Sequence, residues 1–241
     1  MHRFFVQGEL QEGPLIIMDS AFSHQVRNVL RMKPGEECIL FGERPPQVRG
    51  WDFLFQIVRI TERAVEGKVV NRVKNEREPR LPLFLFQSIL KKDNMEFVLA
   101  KGTEVGVSVF IPVVSERSIK RGFNDGRVRR IVKEAAEQSG RAVLPSIRTP
   151  MPFKDAVSFA KAECVPNVLA HEKEMRRTFD TVPPAAKQVS LFVGPEGGFS
   201  EAEVLLARNA GFFVTSLSRR TLRAETAAIV GSYTVLSRFG S

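Results

Sequence analysis

From residue 83 onward the apolar residues switch repeatedly between a strand-like and a helix-like period, and that alternation limits the fold more than any other feature. Leu83 to Ser88 is a short continuous apolar run, the pattern of a strand covered on both faces. A helix is expected from about Asp93, with Glu96 as its capping partner and Met95, Val98, Leu99 and Val105 as its inner stripe. Val109 to Val114 reads as the next strand. Asp125 then caps a helix that turns Val128, Ile131, Val132, Ala135 and Ala136 inward. Further strands are expected at Asn167 to Ala170, Val189 to Val193 and Phe212 to Ser216. Ser200 and Glu203 form a capping box opening a short helix, and Thr226 to Phe239 reads as a closing helix with Ile229, Tyr233 and Leu236 in line. Strands alternating with helices predict an α/β fold, a mainly parallel sheet with helices on both faces.

The first 75 residues read differently. Arg3 to Gln7, Glu37 to Phe41, Trp51 to Ile60 and Val65 to Val73 are rich in β-branched and aromatic residues and bounded by Gly/Pro punctuation. One helix, roughly Ser20 to Met32, interrupts them. Phe22, Val26 and Val29 stand at i, i+4, i+7, and Pro34-Gly35 ends it. A small β-barrel-like module with one helix is expected. Asn75 to Arg80 has no apolar anchor and reads as a linker, which divides the chain into residues 1–74, 75–80 and 81–241.

A chain of 241 residues with 43% hydrophobic content can bury a core in one large domain or two smaller ones. Its longest apolar runs, such as Leu81 to Phe86, fall far short of a membrane span, and the N-terminus turns polar too soon for a signal peptide. Cys38 and Cys164 lack framework spacing, so two reduced buried thiols in a cytoplasmic protein are expected over a single disulfide. His2, His24 and His171 fit no ligand spacing, and no metal is expected. The net charge of +9 is unevenly spread. Residues 1–78 carry 12 Lys/Arg against 11 Asp/Glu, whereas residues 79–241 carry 24 against 16. Residues 117–148 hold nine basic groups and three acidic ones, which suits a polyanion partner or a solvated helix face.

Three segments carry chemistry. Gly194-Pro195-Glu196-Gly197-Gly198 follows the buried run Leu191 to Val193 and precedes the helix at Ser200. That places it outside the carboxyl end of a strand, where open α/β sheets bind ligands. Its glycines permit close backbone approach, but it lacks the Lys-Ser/Thr of a phosphate loop and carries a carboxylate, Glu196. A neutral or cationic small molecule fits it, and a tight structural turn is the other reading. The second segment, Leu217 to Ala227, puts Arg219, Arg220, Arg223 and Glu225 at the mouth of the last helix. Arginine offers forked donors for phosphate or a developing oxyanion, while Glu225 also suits a helix N-terminus on structural grounds alone. The third puts Glu134, Gln138 and Arg141 on one helix face, which a solvated face with Arg130–Glu134 pairing would also explain. His24, near Arg27 and Arg31, reads as a surface histidine or an RNA contact.

Together these segments resemble a known family. Gly194-Pro195-Glu196-Gly197-Gly198-Phe199-Ser200 with Glu203, and Arg219 to Ala227 ending Leu-Arg-x-Glu-Thr-Ala, are similar to the cofactor-loop signature and last motif of the knotted SPOUT methyltransferases. Glu134 to Arg141 and Lys101-Gly-Thr-Glu104-Val-Gly106 resemble the branch that methylates uridine N3 in 16S ribosomal RNA. Arg3 to Val6 and His24 to Arg31 resemble the PUA-like RNA-binding domain of that branch. The resemblance spans nearly the whole chain. It departs at Leu217-Ser218, where Leu-Gly is usual, and at Thr221, where Ile is usual.

The resemblance implies a C-terminal trefoil-knotted domain beside a PUA-like barrel, S-adenosylmethionine as cofactor, a homodimer, and 16S rRNA of the small ribosomal subunit as substrate. It implies that Gly194, Glu196, Gly197, Gly198, Leu217 and Leu222 hold the cofactor. Arg223 or Arg141 would stabilise the imide anion, with Glu225 as base or orienter and Glu134 and Gln138 in support. Arg3, His24, Arg27, Arg31, Arg129 and Arg130 would contact RNA. A ribose 2′-O-methyltransferase of the same fold, a non-catalytic RNA-binding assembly protein and an α/β enzyme acting on a small metabolite are the other readings.

Overall fold

A computed structural model describes residues 1–42, 50–119, 125–174, 177–183 and 187–239. The chain forms two compact units, Met1–Glu78 with Ala136–Leu144, and Pro79–Ala135 with Pro145–Ser241.

In the first unit, strands β1 (Arg3–Val6), β2 (Gly13–Ile17), β3 (Glu37–Gly42), β4 (Trp51–Ile60) and β5 (Val65–Lys74) make one sheet in the order β1-β3-β4-β5-β2. The β1–β3 pair is parallel and the rest antiparallel. Phe4, Leu40, Phe53, Phe55 and Ile57 fill its core against Phe22 and Val26. Strand β2 does not show in the sequence pattern, because Gly13-Pro14 reads as punctuation. It is an edge strand, where proline is tolerated.

The helix expected over Ser20 to Met32 is shorter. Asp19 caps it, its Oδ1 accepting from Ala21 N–H at 2.8 Å and Phe22 N–H at 3.1 Å. Helix α1 (Ser20–His24) then widens into a π turn over Gln25–Val29, with Leu30 N–H donating to the Gln25 carbonyl. The extra residue in that turn rotates Val29 off the buried face, and Val29 is 63% exposed. Arg31 takes φ +54°, the one positive φ at a non-glycine among the described residues.

The stretch read as a linker is tied down by polar groups instead of apolar ones. Asn75 is buried, and its Nδ2 donates to the Gly140 carbonyl at 3.0 Å and to both Asp52 oxygens. Glu78 accepts from Arg141 and from the Ala142 and Val143 N–H groups.

The second unit has strands β6 (Leu83–Ser88), β7 (Val109–Val114), β8 (Ser146–Ile147), β9 (Met151–Pro152), β10 (Asn167–Ala170), β11 (Val189–Val193) and β12 (Phe213–Thr215). All pair parallel, in the order β12-β10-β11-β6-β7-β8, with β9 also on β7. Strand β11 enters between β10 and β6 instead of joining an edge, and β12 then adds outside β10. Helices α2 (Lys92–Val105), α3 (Asp125–Ser139, its end from Ala136 counted with the first unit), α4 (Phe153–Glu163) and α5 (Glu201–Asn209) stand between strands, and α6 (Ala224–Phe239) closes the chain.

Helix α2 starts at Lys92 without a side-chain cap. Glu96 accepts from Arg127 Nη2 at 2.7 Å instead of capping it. Met95, Val98 and Leu99 are buried as expected, but Val105 is only half-buried. The expected cap for α3, the Asp125 side chain, lies outside what is described, as do Lys120 and Arg121 of the basic stretch. Helix α4 goes unmarked in the sequence reading, although Phe153, Ala156, Val157 and Ala160 repeat at helical spacing and all are buried. The capping box of α5 is present, with Ser200 N–H donating to Glu203 Oε2 at 2.9 Å.

In α6 the buried face is Ala228, Gly231, Ser232, Val235 and Leu236, while Tyr233 is 66% exposed and Ile229 half-buried. Small residues win that face because α6 lies close on the sheet. A Cβ at Gly231 would stand 2.9 Å from Leu191 Cδ2 and 3.2 Å from Leu217 Cδ1. Behind the sheet, Phe86 stacks on Phe192 at 4.2 Å, with Phe153 and Phe212 edge-on to Phe192.

Candidate functional site

The turns leaving β6, β10, β11 and β12 meet over one cleft of about 580 Å³ in the second unit. It lies outside the carboxyl ends of the strands, where β11 breaks the sequential order of the sheet.

The glycine turn forms one wall. Gly198 N–H donates to the Pro195 carbonyl at 2.9 Å, and Gly198 has φ +67°. That positive φ is what demands glycine, since a Cβ there would meet only the mobile Glu172 carboxylate, 2.8 Å from Oε1. Gly194 packs so tightly on the backbone of Phe199 and Gly198 that a Cβ would come within 3.2 Å. Phe199 is buried in the aromatic core, which anchors the far end of the turn. Gln87, at the end of β6, sends its Nε2 toward the carbonyls of Val193 and Gly194, 3.4 Å each, supporting the turn from below. Glu196 faces solvent, its Oε1 accepting long bonds of 3.4 Å from Lys91 N–H and Asn94 Nδ2.

The opposite wall is the turn after β12. Ser216 Oγ donates to the Ser218 carbonyl at 2.8 Å, and Ser218 Oγ accepts from Arg220 N–H at 3.1 Å. The serine that departs from the usual glycine thus closes a small hydroxyl-bonded turn, at a backbone angle open to any residue. Leu217, Leu222, Arg223 and Glu225 line the cleft as expected, with Arg220 and Thr221 beside them. Arg219, Arg220 and Arg223 are exposed and form no ion pair among the described residues. Glu225 stands half-buried in the first turn of α6, where the helix favours a carboxylate.

His171 and Glu172, after β10, also line the cleft and carry no motif to mark them. Burial holds the His171 imidazole below its ordinary value of 6.5, against the opposing pull of Glu172. Its Nδ1 is buried without a hydrogen-bond partner among the described residues.

Other expected site residues are elsewhere. Arg141 is 4% exposed in the first unit, its Nη2 donating to Glu78 Oε2 at 2.9 Å. Arg3 is similarly committed, with two bonds to Asp52 at 2.7 and 2.8 Å and a third to the Arg141 carbonyl. Neither lines the cleft. Glu134 and Gln138 are exposed on α3, Glu134 lying 3.7 Å from Arg130. His24, Arg27, Arg31, Arg129 and Arg130 are exposed. Among the described residues no group of His, Cys, Asp and Glu could hold a metal, and no helix is long and apolar enough to cross a membrane.

A family model for the RNA methyltransferase domain matches residues 76–235, which include every residue lining this cleft. The chain belongs to that family. Ribosomal RNA small subunit methyltransferase E of Mesomycoplasma hyopneumoniae is 29% identical to it over 95% of this chain and 96% of its own. Among solved structures, a methyltransferase from Legionella pneumophila with the bound cofactor SAM is 30% identical, covers 99% of this chain and 98% of its own, and has a TM-score of 0.87. Ribosomal RNA small subunit methyltransferase E of Neisseria gonorrhoeae, bound to S-adenosyl methionine, is 28% identical, covers 100% of this chain and 98% of its own, and has a TM-score of 0.90. The fold of this RNA methyltransferase is accordingly of the expected class, a SPOUT α/β domain with a mainly parallel sheet and a small β-rich domain.

Proposed function

We propose that the protein transfers a methyl group from S-adenosylmethionine to N3 of one uridine in 16S rRNA of the small ribosomal subunit, in the cytoplasm. The observation that carries this reading is the cleft itself, with a glycine turn on one wall and exposed arginines with Glu225 on the other. The names of the relatives and the cofactor bound in the two structures support it.

The residues fit such a cofactor. Gly194, Gly197 and Gly198 allow close approach, and Leu217 and Leu222 add apolar contact. Glu196 and Glu172 offer carboxylates to a cationic group, and His171 Nδ1 lies 3.5 Å from Glu172 Oε2 beside them. When bound, S-adenosylmethionine supplies the methyl group on an activated sulfonium. The protein must then orient the uracil in line with it and remove the N3 proton. Glu225, which lines the cleft, is assigned to accept or direct that proton. Arg223 is assigned the negative charge that spreads over O2 and O4 as the proton leaves. Arg141 takes no part in this assignment, because its guanidinium is committed to Glu78.

Residues 1–74 are proposed as the PUA-like RNA-binding domain and 81–241 as the methyltransferase domain. His24, Arg27 and Arg31 on the first unit, and Arg129 and Arg130 on the second, are exposed and suited to phosphates. A homodimer is also proposed. Helices α2 and α6 pack together and leave Phe97, Val230 and Tyr233 exposed by 46%, 39% and 66%, large apolar surface that a second copy would cover.

The test is methylation of unmodified small subunits with labelled S-adenosylmethionine, followed by mass mapping. 3-Methyluridine at a single position is the expected product. Methyl on a ribose 2′-oxygen would assign the protein to the sister activity, and tight RNA binding without transfer would make it an assembly protein.

A further inference from the structure

The turn after β7 is closed on itself. Ser118 Oγ donates to the Ser115 carbonyl at 2.7 Å and accepts from Ser115 N–H at 3.0 Å. Two groups join this turn to the glycine segment. Glu116 N–H donates to Glu203 Oε1 at 2.9 Å, while Glu203 Oε2 accepts from Ser200 N–H, so one buried carboxylate holds both chain segments. Arg117 Nη1 donates to the Gly197 carbonyl at 2.8 Å, and the Arg117 methylenes lie within 3.5 Å of where a Gly197 Cβ would stand.

The second contact falls on a sensitive bond. The Gly197–Gly198 peptide is flanked by two residues without Cβ, so rotating its plane meets little steric resistance. Its N–H end is held by the Pro195 carbonyl and its C=O end by Arg117. Without Arg117 that plane is fixed at one end only. Arg117 itself is exposed, has no carboxylate partner among the described residues, and belongs to a turn that no cofactor motif marks.

We propose that Arg117 is a positioning residue for the cofactor, locking the Gly197–Gly198 peptide in the orientation that S-adenosylmethionine requires. The proposal rests on the reading of the cleft as the cofactor site. It assigns Arg117 to cofactor affinity, separate from RNA recognition and from the chemical step.

The test uses the full chain, with S-adenosylhomocysteine titrated into wild type, Arg117→Ala and Arg117→Lys and followed by calorimetry. Loss of one hydrogen bond to a charged donor predicts about tenfold weaker binding by Arg117→Ala, with Arg117→Lys recovering part of it. The KM for S-adenosylmethionine should rise in parallel, while kcat at saturating cofactor, the KM for small subunits and the unfolding midpoint stay unchanged. Added guanidinium ion should restore binding to Arg117→Ala. Wild-type affinity in Arg117→Ala, or a loss confined to kcat or the small-subunit KM, would overturn the proposal. A wild-type protein that binds neither S-adenosylhomocysteine nor S-adenosylmethionine would overturn the cofactor reading of the cleft as well.

Discussion

Single residues in the cleft differ in how far they can be changed, and backbone geometry sets the difference. Gly198 has φ +67°, so Gly198→Ala strains the turn by about 1–2 kcal/mol and should weaken S-adenosylmethionine binding by about tenfold. Gly197 has no positive φ, and a Cβ there meets Arg117 Cδ at an ordinary 3.4 Å. Gly197→Ala should therefore weaken cofactor binding less than Gly198→Ala, and calorimetry on the pair checks the order. Replacing Arg223 with Ala should lower kcat by about a hundredfold with cofactor binding intact, since it is assigned charge that develops only during transfer. Single-turnover rates at saturating cofactor test that. His171 adds a pH dependence. Its folded-state value lies below 6.5, so the unfolded chain binds the proton more readily and stability falls as pH drops below that value. His171→Gln should flatten that slope in denaturant melts taken across the same range. The sequence showed the glycine turn, Leu217, Leu222, Arg223 and Glu225, because each stands in a contiguous motif. It did not show Lys91, Asn94, Arg117, His171 or Glu172, which reach the glycine turn through sheet order alone. Nor did it show what Arg3 and Arg141 bond to, because their carboxylate partners lie 49 and 63 residues away.

At the scale of elements, periodicity identified what is long and regular and missed what is bent or short. Strands β6, β7, β10, β11 and β12 and helix α5 fall where expected, while the two-residue strands β8 and β9 are too short to show a period. The helix of the first unit could not be traced past Val26, since a π turn shifts every later residue around the axis. In α6 the apolar residues Ile229, Tyr233 and Leu236 suggested one inner face, yet of these only Leu236 is buried, beside Ala228, Gly231, Ser232 and Val235, and the helix comes close to Leu191 and Leu217 at Gly231. The displaced Tyr233 supports an experiment. Tyr233→Glu should convert the proposed dimer to a monomer while the fold persists, which light scattering with circular dichroism would show. A wild-type protein already monomeric at micromolar concentration would end the dimer reading. In the core, Phe192 touches three other phenylalanine rings, and Phe192→Ala should cost about 3–5 kcal/mol in denaturant melts.

Over the whole molecule the charge is lopsided. The first 78 residues are nearly balanced, while the remainder carries 24 Lys/Arg against 16 Asp/Glu. Association with RNA should accordingly weaken steeply with salt, and reversing Arg129 and Arg130 to Glu should reduce both the affinity and the slope of that dependence. Cofactor affinity should not follow, because neither arginine lines the cleft. The strand order has a consequence of another kind, for synthesis. Among the described residues, β10 has strand partners only in β11 and β12, both made after it, and the cleft needs turns from both. A nascent chain that stops after α5 already has the glycine turn but lacks Arg220, Arg223 and Glu225. Such truncated copies keep Arg129 and Arg130 but should transfer no methyl group, since one wall of the cleft is missing. They also leave one edge of β10 unpaired, an open row of backbone donors and acceptors on which another unfinished chain can pair.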